Sequence, residues 1–195
     1  MSPKPMDLLM IGPLRPVLAK GLADFTMHQL SAATDREAFW KSIADVRAMA
    51  VSAPIEPVNE ALYARLPDLE IIASFGVGYD HIDAAAAAQR GIVVTHTPNV
   101  LNEEVADTAV GLLICTVREL PQAERYLRAG KWPKANYPLS RATLRNRTVG
   151  LVGMGRIGRA IARRLDAFGA PIVYHSRQPR ADLPYRHYAQ LIDMA

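Results

Sequence analysis

The hexapeptide Gly153-Met154-Gly155-Arg156-Ile157-Gly158 stands between an apolar run, Thr148 to Val152, and an Ala/Arg/Leu-rich helical stretch, Ala160 to Phe168. This order predicts a strand, a tight turn and a helix. One glycine serves the turn, a second lets the backbone approach a phosphate, and a third lets the helix pack close. The helix N-terminus adds free N–H groups and the positive end of its dipole. Gly153, Gly155, Arg156, Ile157 and Gly158 are therefore candidate cofactor-binding residues around a dinucleotide pyrophosphate. The motif alone is a weak signal; its flanking strand and helix give it weight.

A dinucleotide with a free ribose 2′-hydroxyl is usually held by an Asp or Glu about 20 residues past the first glycine, at the tip of the second strand. That strand reads Pro171-Ile172-Val173-Tyr174, after a helix stopped by Gly169, and its tip continues His175-Ser176-Arg177-Gln178. No carboxylate stands there: Asp166 lies back in the helix and Asp182 beyond the turn. A guanidinium offers two charge-assisted hydrogen bonds to a phosphate. Ser176, Arg177 and Gln178, with His175 as a further candidate, thus predict NADP(H) in preference to NAD(H), with NAD(H) the alternative.

Half of the 195 residues are hydrophobic and 22% are charged, a globular composition able to bury a sizeable core. The net charge of +4 is scattered apart from Arg141, Arg145 and Arg147. A nucleic-acid surface needs clustered cations, often with aromatics, so nucleic acid is not an expected partner. No run approaches the ~20 apolar residues of a membrane helix, and Met1 to Ile11 lacks a secretory pattern. The single cysteine, Cys115, lies in the apolar run Ala109 to Val117, which predicts a buried core thiol and fits a reducing cytoplasm.

Strand and helix patterns alternate from the start. Strands are expected over Asp7 to Ile11, Phe25 to Leu30, Arg47 to Ser52, Leu69 to Ser74 and Ile92 to Thr95. Helices are expected over Arg15 to Ala23, Phe39 to Ala44, Val58 to Leu66 and Ala84 to Gln89. Such alternation implies an α/β fold, a doubly wound parallel sheet covered by helices. A boundary falls near Thr97-Pro98-Asn99, giving residues 1–98 and 99–195 as domains. One long helix is expected from Asn102 to Leu120, with Glu103 and Glu104 in its first turn. An arm rich in Trp132, Pro133, Tyr137 and Pro138 follows, from Arg125 to Arg147. After the second strand of the glycine-turn domain, only a partial helix at Tyr188 to Met194 is expected, leaving the sheet with a bare edge and face.

Several segments in one order resemble the D-isomer-specific 2-hydroxyacid dehydrogenases, and among them the NADPH-preferring glyoxylate/hydroxypyruvate reductases and hydroxyphenylpyruvate reductases. They are Ser74-Phe75-Gly76-Val77-Gly78-Tyr79-Asp80-His81-Ile82-Asp83, Arg90 to Val94, Thr97-Pro98, Val100 to Asp107, Gly153 to Gly158 and Tyr174-His175-Ser176-Arg177. The resemblance covers most of the chain from about Arg47 onward. It implies a flavodoxin-like substrate domain, a Rossmann cofactor domain and reduction of a small 2-oxo acid such as glyoxylate or hydroxypyruvate to the D-2-hydroxy acid. It also implies that the loop Gly76-Val77-Gly78 presents backbone N–H groups to a substrate carboxylate, with Val77 and Gly78 as substrate-binding residues. Glycines suit this, because they let main chain approach an anion. The helix and arm over 102–147 are implied to form a homodimer interface, to which Trp132 and Tyr137 either contribute apolar contacts or pack within the subunit.

The same resemblance implies a catalytic Arg, His and Glu in the later part of the cofactor domain, and none of them matches a position before Ala195. His28, His81, His96, His175 and His187 are poor substitutes for the acid, and Arg118 and Arg156 for the Arg. No catalytic residue is therefore assigned in this chain. It reads as a fragment, a truncated gene product or a partial rendering of a longer reductase. The alternative is a non-catalytic nucleotide-binding or dimerisation module of the same fold. A short-chain dehydrogenase does not fit, because no Tyr is followed four residues later by Lys. A P-loop NTPase does not fit either, because no Gly-Lys-Ser/Thr occurs.

Overall fold

The apolar runs Asp7–Ile11 and Ala48–Val51 become strands buried on both faces, as the central strands of a parallel sheet are. The computed structural model describes residues 6–140, 142–145 and 147–194. The chain divides into two units, Met1–Val100 and Leu101–Ala195.

The first unit holds β1 (Asp7–Ile11), α1 (Pro16–Gly21), β2 (Thr26–Gln29), α2 (Arg36–Ser42), β3 (Ala48–Val51), α3 (Glu60–Tyr63), β4 (Ile71–Ser74), α4 (Ala84–Gln89) and β5 (Val93–Thr95). All strands are parallel, in the order β2-β1-β3-β4-β5. This is the flavodoxin-like doubly wound order, whose direction switches between β1 and β3. Alternate residues feed two layers. Leu9, Ile11, Met49, Val51 and Ile72 pack with Trp40, Ile43, Leu62 and Tyr63 on one face. Leu8, Met10, Ala48 and Ala50 pack with Leu18, Leu22, Phe25 and Met27 on the other. Ile71 and Val93, paired side by side on β4 and β5, stay exposed.

Short side-chain caps set the helix starts. Asp35 Oδ1 accepts from the Ala38 amide at 3.1 Å, Asn59 Oδ1 from Leu62 at 3.4 Å and Asp83 Oδ1 from Ala86 at 2.9 Å. The Asp35 cap places α2 three residues before the expected start at Phe39. The expected helix over Val58 to Leu66 shrinks to the single turn α3, because Val58 leaves to pair with Ile82. The buried Tyr63 hydroxyl lies 3.0 Å from the Val58 carbonyl and 3.1 Å from that of Asp83, joining the two segments. Burial, aided by the nearby Asp83 and Glu60 charges, pushes this phenol up to about 12.

The second unit holds α5 (Asn102–Arg118), α6 (Leu120–Arg128), β6 (Val149–Val152), α7 (Arg156–Asp166), β7 (Ile172–His175) and β8 (Arg186–Tyr188), a parallel sheet ordered β6-β7-β8. This corrects four expectations. The long helix stops at Arg118, because Pro121 cannot donate to a continuing helix and its ring would meet the carbonyl four residues back. Glu119 turns left-handed there, at φ 56°, and the start of the expected arm is helical as α6. The expected partial helix at Tyr188 to Met194 is present as a short 3-10 helix over Leu191–Met194, and the segment before it, Arg186–Tyr188, adds a third strand, β8, that was not expected. Cys115 is only half-buried, on a helix whose buried residues are Ala106 and Val110. Among the described residues no helix is long and apolar enough to cross a membrane.

Helices α5 and α7 pack together and are joined by ion pairs along their flank. Arg163 bonds both Glu103 carboxylate oxygens at 2.9 Å, and Arg164 reaches Asp107 at 2.5 Å and Glu103 at 2.8 Å. The Arg164 and then the Arg163 bonds hold Glu103 below the usual carboxylate range, and Arg164 does the same for Asp107. A carboxylate lowered in the folded state contributes stability above its unfolded pKa and loses it as pH falls through the folded value. A Glu103→Gln/Asp107→Asn variant is therefore expected to unfold at lower urea than the parent at pH 7. That gap should close as pH drops below about 4 and narrow in about 1 M salt; a gap independent of both would assign the stabilisation to packing.

Candidate functional site

The glycine turn follows β6 directly. Gly153, at φ +103°, sits in the left-handed half of conformational space, and its amide donates to the His175 carbonyl at 2.8 Å, tying the turn to β7. Gly155 precedes α7 and has no side chain with which to cap it. A Cβ on Gly158 would stand 2.2 Å from the Gly153 carbonyl oxygen and 3.2 Å from its carbon, whereas one on Gly155 would meet nothing within 4 Å. The third glycine is thus demanded by main chain against main chain, and the second opens to free space. Met154 is buried beneath the turn. Among the described residues the Met154 and Gly155 amides have no backbone partner, and the first amides of α7 have none by helix geometry. The donors expected of a pyrophosphate cradle are present at one point.

Charge at this turn is selective. Arg159 is paired with Asp182 at 2.5 Å, and Arg163 and Arg164 with the acids of α5. Among the described residues Arg156 is the one arginine of α7 with no ion pair, and it sits in the first turn beside the free amides. A cavity of about 570 Å³, lined by Ile114, Arg118, Leu144, Arg145 and Phe168, lies at the opposite end of α7 from the glycine turn.

The expected 2′-phosphate residues lie at the tip of β7. Arg177 and Gln178 are exposed and Ser176 is half-buried. The Ser176 hydroxyl donates to the Gln178 carbonyl at 2.6 Å, so its proton is spent within the turn rather than offered outward. Among the described residues the Arg177 and Gln178 side chains have no partner there, and Arg177 is the one that carries charge. His187 lies on β8, donates from Nε2 to the Ser176 carbonyl at 2.9 Å and faces the Tyr174 ring. The buried Tyr174 hydroxyl accepts from the Arg180 amide at 2.7 Å, and Tyr185 donates to Asp166. The loop past β7 is therefore fastened at several points. Sequence reasoning missed His187 and Tyr174 as its supports; the aromatic pattern Tyr185 to Tyr188 was the available signal.

In the first unit, the loop after β4 carries Val77 and Gly78. The Phe75 amide continues the β3–β4 ladder to Val51 at 2.8 Å, and then the chain leaves the sheet. The Gly76 carbonyl accepts from the Thr97 amide at 3.0 Å, and the Val77 carbonyl from His96 Nδ1 at 2.9 Å. Among the described residues the Val77 and Gly78 amides have no backbone partner. Tyr79 packs edge-on against the His96 ring. Beyond it the loop is fixed by Val58 pairing with Ile82, with the Val58 amide donating to the His81 carbonyl at 3.1 Å.

No histidine is poised as an acid. His28 is bonded to Asp7, His96 to Val77, His175 to the Tyr188 carbonyl and His187 to Ser176. His81 Nε2 is buried with no partner among the described residues.

The two parallel sheets, one carrying a glycine loop and one a dinucleotide-type turn, agree with the known proteins this chain matches. The family profile described as D-isomer specific 2-hydroxyacid dehydrogenase, catalytic domain, matches residues 9–182. The chain belongs to this family. It is 45% identical over 134 residues to a glyoxylate/hydroxypyruvate reductase A of Arabidopsis thaliana, covering 69% of this chain and 42% of the relative. An NADPH-dependent glyoxylate/hydroxypyruvate reductase from Sinorhizobium meliloti, solved with NADP and malonate, superposes with a TM-score of 0.84 at 46% identity, covering 98% of this chain and 59% of that one. A 2-hydroxyacid dehydrogenase from Ketogulonicigenium vulgare gives a TM-score of 0.89 at 38% identity, covering 97% and 60%. The chain thus spans about half the length of the curated relatives it matches.

The two glycines of the turn should separate when changed. Gly158→Ala forces a backbone contact to open and is expected to cost about 1–3 kcal/mol of stability. Gly155→Ala should leave thermal stability nearly unchanged while weakening binding of NADPH, read by fluorescence titration. Equal stability losses for the two would contradict the packing difference.

Proposed function

We propose that this chain supplies the carboxylate-binding and cofactor-binding elements of an NADPH-dependent reductase. Its substrate is glyoxylate, hydroxypyruvate or a similar small 2-oxo acid, and its product the D-2-hydroxy acid. The observation that carries this reading is the turn after β6, closed to any Cβ at Gly158 and open at Gly155, with amides that have no backbone partner among the described residues at the carboxyl end of a parallel strand. The pyrophosphate would rest on Gly153, Gly155, Arg156, Ile157 and Gly158. The bound cofactor supplies the hydride. Arg177, without a carboxylate beside it, would hold the 2′-phosphate, with Ser176 and Gln178 shaping the turn beneath it. The Val77 and Gly78 amides would receive the substrate carboxylate. The similar Sinorhizobium reductase was solved with NADP and malonate, which supports the classes of cofactor and anion proposed. The substrate-binding unit would span residues 1–98 and the cofactor-binding unit 99–195.

The protein would act as a homodimer. Leu112, Leu127, Trp132 and Leu139 on α5, α6 and the segment after them are exposed, Leu139 at 92%. Tyr137 is used within the chain, donating to Glu119 at 2.9 Å and stacking edge-on with Tyr126. Exposed apolar side chains on neighbouring elements are the usual material of an interface. Sedimentation is expected to give a dimer for the parent, and a monomer for a Leu112→Glu/Leu139→Glu variant that remains folded; a parent that sediments as a monomer would refute the dimer.

Cofactor choice gives a direct test. Arg177→Ala is expected to raise the Kd for NADPH about tenfold, as for one charged hydrogen bond, and to leave that for NADH nearly unchanged. A parent that binds NADH as tightly as NADPH would overturn the NADPH assignment. NADPH oxidation with hydroxypyruvate or glyoxylate by the complete reductase tests the activity. Retained binding and dimerisation without turnover would favour a non-catalytic module.

A further inference from the structure

The loop Gly76-Val77-Gly78 has glycine on both sides of one valine, so its peptide planes are free to rotate unless something fixes them. In a planar trans peptide the carbonyl of one residue and the N–H of the next point in opposite directions. Anchoring a carbonyl therefore aims the following amide. The Gly76 carbonyl is held by the Thr97 amide, which turns the Val77 N–H away from the end of β5. The Val77 carbonyl is held by His96 Nδ1, which turns the Gly78 N–H the same way. The first anchor is main chain and present with any residue; the second depends on a side chain.

The His96 ring is suited to this. It is half-buried, its Nδ1 must carry the proton because its partner is a carbonyl, and the Tyr79 ring lies against it with centroids 4.9 Å apart. The neutral and charged forms of the imidazole both donate from a protonated Nδ1, so the bond does not require a particular charge.

We propose that His96 is a positioning residue for the substrate carboxylate: by holding the Val77 carbonyl it aims the Gly78 N–H at the anion. This rests on the reading that the Val77 and Gly78 amides bind that carboxylate. His96 does not touch the substrate; it acts through one peptide plane.

The test is oxalate titration followed by amide nuclear magnetic resonance, on the parent and two variants. In the parent, the Val77 and Gly78 amide signals should shift saturably. His96→Phe keeps a ring beside Tyr79 and removes the donor; it should raise the oxalate Kd about five- to tenfold, the weight of one hydrogen bond, with the unfolding temperature unchanged. His96→Asn returns a donor close to the position of Nδ1 and should recover most of the affinity. Oxalate binding by His96→Phe at parental strength, with the Gly78 signal still responding, would overturn the role of His96 and leave the carboxylate reading intact. Parental Val77 and Gly78 signals that ignore oxalate would overturn both. Should His96→Phe fail to fold, the ring nitrogen spectrum of the parent decides: an imidazole with its proton on Nε2 alone contradicts the proposal.

Discussion

Parallel pairing of the strands is the constraint on which both candidate anion sites depend. In a parallel sheet every carboxyl end emerges on one edge, and the chain must turn there before it crosses back through a helix. The loop with Val77 and Gly78 leaves the end of β4. The glycine turn leaves the end of β6, and the tip with Ser176 and Arg177 leaves the neighbouring end of β7, in register with it through Val152 and His175. None of these loops has to find its place independently. The pairing of each strand with its neighbours positions them.

Both sites rely on main chain for their donors and on side chains to orient or spare them. The acids of α5 and the loop past β7 neutralise Arg159, Arg163 and Arg164, which leaves the cations Arg156 and Arg177 at the two places where phosphate charge would lie. Neutralising the others does more than stabilise the helix pair. It keeps an arginine-rich helix from offering competing anion sites along its length, so that the field of α7 is expressed at its N-terminus.

Much of the fold was legible because local rules and tertiary packing agree there. Asp7 to Ile11 and Ala84 to Gln89 occur where their patterns put them, the one as an apolar run and the other as an alanine run behind an Asp cap. The glycine turn was legible because its chemistry is backbone chemistry. Errors arose where one residue overrules a longer pattern. Pro121 cuts an otherwise continuous helical stretch, and Asp35 starts α2 earlier than its apolar residues suggest. Strand β8 was missed because three residues, Arg186 to Tyr188, carry too little periodicity; pairing with β7 rather than propensity makes them a strand. At the site, the sequence pointed to Ser176 and Arg177 together, yet the hydroxyl spends its proton on Gln178. Such a local hydrogen bond is a matter of geometry that composition does not carry. The anchoring of Val77 by His96 was invisible for the same reason, since the two residues lie on different strands' ends.

The contact between Gly158 and the Gly153 carbonyl separates constants from variables in the cofactor turn. The tightest limit on the cradle's shape is a distance between two stretches of backbone. Arg156 and Ile157 are therefore free to drift, tuning how tightly an anion is held without deciding whether a cradle exists. A lineage of such chains would keep its architecture while its affinities wander, with substitutions at Gly158 filtered out by folding before binding is ever at stake.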